Sequence, residues 1–261
     1  MADPEAALRI ANASGFLFQL SVENAVRSAY SDRPLGNPET CSVVAREYPW
    51  ISPTGTQGYI DLVLSKWNVV LIVECKRTRD GLWVFPIETK SYRSTTDIRA
   101  LWVLRDVGDK LVSVTDDFIG GPDSLVSQFC AIRGSGEGQT PMLERISATL
   151  IQSLEAFAAE AISITQMRDS RRYFFLPVIV TNATLATCVV DPSEIDLNGD
   201  TSEANVEETP FIRFHKPLVT ELTPGFATGG LGEALSDRER TVFVVNSRHL
   251  LDFLRGLRVY E

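Results

Sequence analysis

Apolar runs alternate with polar breaks along the chain, and their spacing predicts both helices and strands. Apolar residues recur with helical spacing over 5–30 and most strongly over 141–168, where Pro141 suits the first turn of a helix. Shorter helices are predicted at 123–132 and 247–257. Continuous or alternating apolar runs predict strands at 41–50, 59–64, 69–77, 81–88, 98–106, 110–118, 173–190 (as two strands), 211–218 and 241–246.

The mixture of these elements predicts an α/β fold in which helices flank a mixed central β-sheet. A chain of 261 residues is long enough for one large domain or two small ones, and a single domain over 1–261 is expected. The sequence contains no internal repeat. Residues 81–88 are predicted to form an edge strand, because Pro86 has no amide hydrogen to donate to a central ladder.

The formal net charge of −9 is concentrated in residues 191–209, which contain seven acidic residues and no Lys or Arg. The rest of the chain therefore carries a net charge of about −2. Because this acidic segment has little apolar content, it is predicted to be a mobile surface loop. The composition is not that of a tight nonspecific DNA-binding protein, although local basic surfaces remain.

The four cysteines predict neither a zinc site nor a disulfide framework. They lie at 41, 75, 130 and 188 without a CxxC pair, and the chain has only two histidines to join them. The first residues lack the basic and apolar regions of a secretory signal, and no apolar run approaches the ~20 residues that span a bilayer. A reduced, cytoplasmic protein that does not enter a membrane is expected.

Charged residues interrupt the most apolar part of the chain, residues 58–77 (GYIDLVLSKWNVVLIVECKR). Strand alternation places Glu74 and Lys76 on one face of the second strand of this predicted hairpin. If an even-length connection over 65–68 joins the strands, Asp61 pairs with Ile72 on that same face, at ~7–8 Å from Glu74. A three-residue loop would instead send Asp61 to the opposite face.

Two interpretations of these three charges remain open from the residues alone. An unpaired charge at the end of an apolar hairpin is costly, so Lys76 is expected either to form a salt bridge with Glu74 or Asp61, or to serve a functional site. In the second case the two carboxylates suit Mg²⁺, which binds through one or two carboxylates together with substrate phosphate. Lys76 would then position the attacking water or stabilise charge on the phosphate.

The stretch from Asp61 to the sequence VECK (73–76) resembles the active-site motif of the PD-(D/E)xK nuclease superfamily, which has the restriction-endonuclease-like fold. By this resemblance, Asp61 and Glu74 are metal ligands, Lys76 is the catalytic lysine, and the carbonyl of Cys75 is a further ligand. Glu23, on the helix before the hairpin, corresponds to an accessory ligand and completes the catalytic set. Ile60 stands where the family name has proline, a departure that many members share.

The resemblance implies a metal-dependent endonuclease that uses Mg²⁺ or Mn²⁺ to hydrolyse phosphodiester bonds in DNA, in prokaryotic defence or DNA processing. It also implies a homodimer or an operon-encoded protein partner, although the sequence has no interface signature. One alternative is a catalytically inactive module that uses the same fold to bind nucleic acid or a protein. Another is a structural salt-bridge cluster in an unrelated α/β domain.

Overall fold

A computed structural model of the chain describes residues 3–32, 37–78, 81–92, 94–105, 111–132, 141–164, 172–218 and 238–260. These residues form four α-helices and fourteen strands arranged in two mixed sheets. The helices are α1 (Pro4–Ala13), α2 (Phe16–Tyr30), α3 (Met142–Ile164) and α4 (Leu250–Gly256). The strands are β1 (Cys41–Ile51), β2 (Gln57–Lys66), β3 (Val69–Lys76), β4 (Leu82–Glu88), β5 (Thr95–Arg105), β6 (Leu111–Ser124), β7 (Val126–Ser127), β8 (Ala131–Ile132), β9 (Tyr173–Thr181), β10 (Thr184–Val190), β11 (Asn205–Glu208), β12 (Phe211–Pro217), β13 (Glu239–Asn246) and β14 (Arg258–Tyr260).

The larger sheet has ten strands, and its central part carries the predicted hairpin. Its main order is β1-β2-β3-β9-β13-β12-β7. β5 pairs with the first residues of β9, β6 pairs with β5, and β14 pairs with β6. β2 and β3 are antiparallel, whereas β3, β9 and β13 run parallel to one another. Consequently the carboxyl ends of β3, β9 and β13 meet at one edge, where Lys76 lies beside Thr181 and Thr181 beside Asn246.

Helices cover both faces of this sheet, which explains why β3, β9 and β13 are apolar almost throughout. On one face, α3 packs against a cluster that includes Val70 and Ile72 of β3. On the other face, α2 and α4 pack against a cluster that includes Leu71 and Val73. Alternate residues of β3 therefore enter different cores, as strand geometry requires. The predicted α/β class with a mixed sheet and flanking helices is confirmed.

The smaller sheet has four strands in the order β11-β10-β4-β8, and it corrects two predictions. β4 is not an edge strand: it pairs with β10 along its whole length and with β8 at Trp83 and Val84 only. Pro86 lies outside the short pairing of β4 with β8, so the amide hydrogen that it lacks is not needed for that pairing. The acidic segment 191–209 is exposed, but its residues Asn205–Glu208 form strand β11, so the loop prediction is wrong for them. Its mobility stays a prediction.

Two helix predictions also differ from the structure. The helix predicted over 5–30 is broken into α1 and α2 at Ser14 and Gly15, where Ser14 leaves the helical conformation. The helix predicted over 123–132 is wrong, because β7 and β8 occupy this range. β7 pairs with Arg213 and Phe214, and the Ser127 hydroxyl bonds the carbonyls of Pro86 and Phe129. Tertiary pairing thus overrides an ambiguous local pattern.

The other predicted strands and helices correspond to elements of the structure, mostly within a few residues at their ends. The strand predicted over 110–118 is longer in the structure, where β6 continues to Ser124, and residues 106 and 110 lie outside the described part of the chain. The predicted helix 141–168 corresponds to α3, and its residues 165–168 lie outside the described part of the chain. Among the described residues, no helix is both long and apolar enough to cross a membrane.

Candidate active site

The predicted hairpin is present, but its turn is tighter than expected. Lys66 pairs with Val69, so only Trp67 and Asn68 connect the strands, and Trp67 adopts the left-handed φ of 56° that such a turn uses. The pairing is therefore shifted by two residues from the predicted one. A shift of two preserves the face of every side chain. Continuing the observed register by one step places Asp61 opposite Glu74 rather than opposite Ile72.

The Asp61 carboxylate is held at the end of β3 by the backbone. The Cys75 amide donates a hydrogen bond of 2.6 Å to Asp61 Oδ2. The observed ladder between the two strands ends one step earlier, at Leu62 and Val73, so this bond takes the place of the next ladder contact. The side chain of Asp61 is thereby fixed between the two strands, next to Glu74.

Strand alternation is broken on β2 and β1 at the same place. Leu62 lies in the α2 core but Ile60 lies in the α3 core, so Asp61 stands where β2 changes face. On β1, Arg46 contacts Glu23 of α2, whereas Tyr48 packs edge-on against Phe157 of α3. The residue between Arg46 and Tyr48 is Glu47, which has a left-handed φ of 51°. Such irregularities re-aim side chains and occur often beside active sites.

Glu47 therefore joins the site, although no sequence pattern indicated it. The pairing of Arg46 with Leu62 and of Tyr48 with Ile60 places Glu47 opposite Asp61. The buried Gln19 side chain of α2 ties the two residues together: its Nε2 donates to Glu47 Oε1 at 2.6 Å and to the Asp61 carbonyl at 2.9 Å. The only sequence signal for Glu47 was an acidic residue within the predicted strand 41–50. Its place next to Asp61 depends on the pairing of β1 with β2, which the local sequence does not specify.

Burial, and to a smaller extent the crowding of carboxylates, raises the pKa values of the two motif acids. Burial raises the pKa of Asp61 to about 6, with the charge of Glu47 adding to the effect and the Cys75 hydrogen bond and Lys76 opposing it. Burial raises the pKa of Glu74 to about 7, and the charges of Asp61 and Glu47 add to this while Lys76 lowers it. Negative charge at this edge of the sheet is therefore only partly compensated by the protein.

Lys76 lies near both carboxylates without forming a salt bridge to either. Its charge acts on Asp61 and Glu74, yet among the described residues its ammonium makes no ion pair within 4 Å and no hydrogen bond. The Glu74 carboxylate likewise has no hydrogen-bond donor within the described part of the chain. A structural salt-bridge cluster would join these groups directly, so the observed geometry disfavours that interpretation.

Glu23, the accessory ligand that the family resemblance implies, is paired with two arginines. Its side chain is buried on α2 and accepts from Arg27 Nε at 2.8 Å and from Arg46 Nη1 at 3.3 Å. Two arginines thus compete with any metal for this carboxylate. The role of Glu23 as an accessory ligand stays a prediction, and Glu47 is the acid whose charge acts on Asp61 and Glu74.

The Cys75 side chain is buried away from the site, although its backbone is expected to take part there. Its side chain lies in the α2 core, and burial, together with the nearby charges of Asp61 and Glu74, raises the thiol pKa well above its ordinary value. A protonated, buried thiol is a poor nucleophile and a poor metal ligand. The backbone amide of Cys75 contacts Asp61, and the ligand role of its carbonyl stays a prediction.

The donor chemistry of the site fits a hard divalent cation. Asp61 and Glu74 supply carboxylate oxygens that repel each other when both are ionised, and Mg²⁺ needs only one or two carboxylates when substrate and water complete its shell. A complete protein cage is not formed: within the described ranges, no three His, Cys, Asp or Glu side chains are grouped closely enough to hold a metal by themselves.

Comparison with known proteins adds no family assignment. No protein-family model, curated protein or solved structure matches this chain.

Proposed function

We propose that this protein is a metal-dependent nuclease that hydrolyses phosphodiester bonds in DNA. The observation that carries the proposal is the placement of Asp61 and Glu74 side by side at the end of the β2–β3 hairpin, with Lys76 close by and bound to neither. Two crowded carboxylates and an unpaired ammonium are what a site for a divalent cation and a phosphate requires.

The arrangement of elements supports a restriction-endonuclease-like fold for the same proposal. The order α2, β1, the β2–β3 hairpin, α3 and β9 follows the order of helix, strand, hairpin, helix and strand that the resemblance implies, with strands β4 to β8 inserted before α3. β9 and β10 follow each other in sequence but belong to different sheets. The motif residues lie at the carboxyl edge of β3, beside the parallel strand β9. Ligands of open α/β sheets bind at such carboxyl edges.

The residues of the chain have separable roles in this mechanism. Asp61 and Glu74, with the Cys75 carbonyl, would hold Mg²⁺ or Mn²⁺. When bound, that cation supplies positive charge against the developing charge on the phosphate and acidifies the attacking water. Asp61 is pre-oriented by the Cys75 amide, so its carboxylate needs no rearrangement to act as a ligand. The Lys76 ammonium is available to donate a hydrogen bond to a phosphate oxygen or to the attacking water.

Incubating the purified protein with supercoiled plasmid and with single-stranded DNA tests the proposal. Cleavage that requires Mg²⁺ or Mn²⁺ and stops with EDTA is the expected result. DNA binding without cleavage in either metal would instead support an inactive binding module. Neither binding nor cleavage would remove both functions and leave the charged hairpin without a role in nucleic-acid chemistry.

A matched pair of variants tests which third acid contributes to the site. Glu47→Gln is expected to lower the cleavage rate about tenfold or more, because it removes charge next to Asp61 while Gln can still accept from Gln19. Glu23→Gln is expected to leave the rate within about threefold, since Glu23 is already paired with Arg27 and Arg46. Initial rates on plasmid, with melting temperatures as a folding control, measure both effects. The opposite ranking would assign the accessory role to Glu23.

A further inference from the structure

An open cleft lies beside the motif, between helix α1 and the segment that follows β3. Its volume is about 510 Å³. The lining residues are Arg9, Asn12, Ala13, Gly15, Cys75, Lys76, Arg77 and Thr78. Cys75 and Lys76 belong to both the motif and this cleft, so whatever occupies the cleft also reaches the proposed active site.

The charge of the cleft is opposite to that of the whole protein. Among the described residues, three cations, Arg9, Lys76 and Arg77, and no acidic side chain line it, in a chain whose formal net charge is −9. Arg77 is exposed and, within the described residues, makes no ion pair or hydrogen bond through its side chain. Arg9 has a single long contact of 3.9 Å to the exposed Asp3, which is worth little in water. The cleft therefore attracts anions.

The two walls of the cleft are anchored differently. The Arg77 wall is fixed, because the Asn182 side chain accepts from the Thr78 amide at 2.7 Å and donates to the Thr78 carbonyl at 3.1 Å. The α1 wall is a helix with no buried residue. Ser14 and Gly15 connect α1 to α2. No heavy atom lies within 4 Å of the position that a Cβ at Gly15 would take. One wall is thus held by the sheet and the other is a surface helix.

We propose that the cleft binds the phosphate backbone of DNA next to the scissile phosphate, with Arg9 and Asn12 of α1 opposing Arg77. This inference rests on the proposed nuclease function and adds the substrate-positioning surface to it. Arginine binds phosphate through its planar, multiply donating guanidinium, and the Asn12 amide can donate a further hydrogen bond. Concentrating these contacts at one cleft gives DNA affinity to a protein that is acidic overall.

Binding measured without metal separates this proposal from catalysis. The full-length protein is titrated in EDTA into fluorescein-labelled single-stranded DNA and its duplex, and anisotropy is followed at several salt concentrations. Arg9→Ala and Arg77→Ala are each expected to weaken binding about three- to tenfold at low salt, and to reduce the slope of log affinity against log salt by about one. Arg9→Lys, which keeps the charge, is expected to restore most of the affinity.

Arg145→Ala is the matched control, because Arg145 is an exposed arginine on α3, outside the cleft. It is expected to change neither affinity nor slope. Arg9 is itself exposed, so melting temperatures equal to that of the parent protein will show that its substitution leaves the fold intact. Equal binding by the parent, Arg9→Ala and Arg77→Ala proteins would overturn the assignment of the cleft.

The outcomes for the cleft and for the nuclease proposal can be told apart. If the parent protein cleaves DNA and the cleft variants bind like the parent, the cleft assignment fails and the nuclease proposal stands. If the variants lose binding but the parent never cleaves with Mg²⁺ or Mn²⁺, the cleft assignment is confirmed and the protein is a DNA-binding module rather than a nuclease. If the parent neither binds nor cleaves, both proposals fail.

Discussion

Lys76→Ala is expected to reduce DNA cleavage by about a hundredfold or more while leaving the affinity for metal unchanged. Preorganised charge that acts on the reacting phosphate typically contributes a factor of this size, and an ammonium is not a ligand of Mg²⁺. The unpaired state of Lys76 strengthens the expectation, because no salt bridge has to be broken for it to reach the substrate. Initial rates with plasmid and calorimetric titration with Mn²⁺ measure the two quantities.

The control for this prediction is Lys90→Ala. Lys90 is an exposed lysine in the short helical turn after β4, and it lines a different cavity from the one beside the motif. Its removal is expected to leave the cleavage rate within about twofold, as for an ordinary surface substitution. Equal loss of activity in the two variants would mean that general positive charge, rather than Lys76 at the site, supports cleavage. Full activity in Lys76→Ala would remove the catalytic role of this residue.

Part of the site was predictable because it depends on properties that are local in the sequence. Two long apolar runs around a short polar break specify a hairpin, and alternation fixes the common face of Glu74 and Lys76. The predicted register of Asp61 was wrong by two residues, and the change of face of β2 at Asp61 was not foreseen. The register depends on Lys66, which extends β2 as far as the turn. Its buried ammonium donates to the carbonyls of Leu254 and Leu257 at 2.6 and 3.0 Å.

Those carbonyl groups lie 188 or more residues further along the chain, so no local pattern indicates that Lys66 is buried. The same reason explains the missing acid. Glu47 reaches Asp61 only through the pairing of β1 with β2, a left-handed backbone at Glu47 and a hydrogen bond from Gln19. The site is thus specified by local apolar patterning for two of its acids and by tertiary pairing for the third.

The misassigned segment 123–132 shows the converse case, in which local pattern favours the wrong element. Its apolar spacing is compatible with a helix, but β7 completes the edge of the large sheet beside β12. The Ser127 hydroxyl then donates to the carbonyl of Phe129 within the segment and to that of Pro86 on β4. The outcome was decided by a partner strand more than eighty residues away, at Arg213 and Phe214.

Asp61→Asn is expected to stabilise the metal-free protein at pH 8 and to abolish its stabilisation by metal. Asn is isosteric with Asp and keeps an oxygen that accepts from the Cys75 amide, whereas Ala would leave that amide without its partner. What the substitution removes is the charge that burial and Glu47 penalise in the folded state. A pKa raised by about two units corresponds to about 2–3 kcal/mol, which gives roughly 4–10 °C in melting temperature for a chain of this size.

The pH dependence of this difference follows from the direction of the shifts. Both raised pKa values, about 6 for Asp61 and about 7 for Glu74, mean that the folded state binds protons that the unfolded state has lost. The parent protein without metal is therefore destabilised by these groups as the pH rises from about 4 to about 7. The advantage of Asp61→Asn should be largest at pH 8 and should shrink as the pH falls towards 4.

Added Mn²⁺ or Mg²⁺ should act in the opposite direction. The parent protein gains stability as the cation binds the folded state, by about 2.7 kcal/mol at a hundredfold excess over the dissociation constant, and Asp61→Asn gains little. Asp116→Asn, at an exposed carboxylate on β6, should behave like the parent throughout. A structural salt bridge requires the reverse result, because losing Asp61 would strand Lys76 and lower the melting temperature with or without metal. Melting curves of these three proteins at pH 5 and pH 8, with EDTA and with Mn²⁺, therefore decide between a charge cluster built for a cation and one built for the fold.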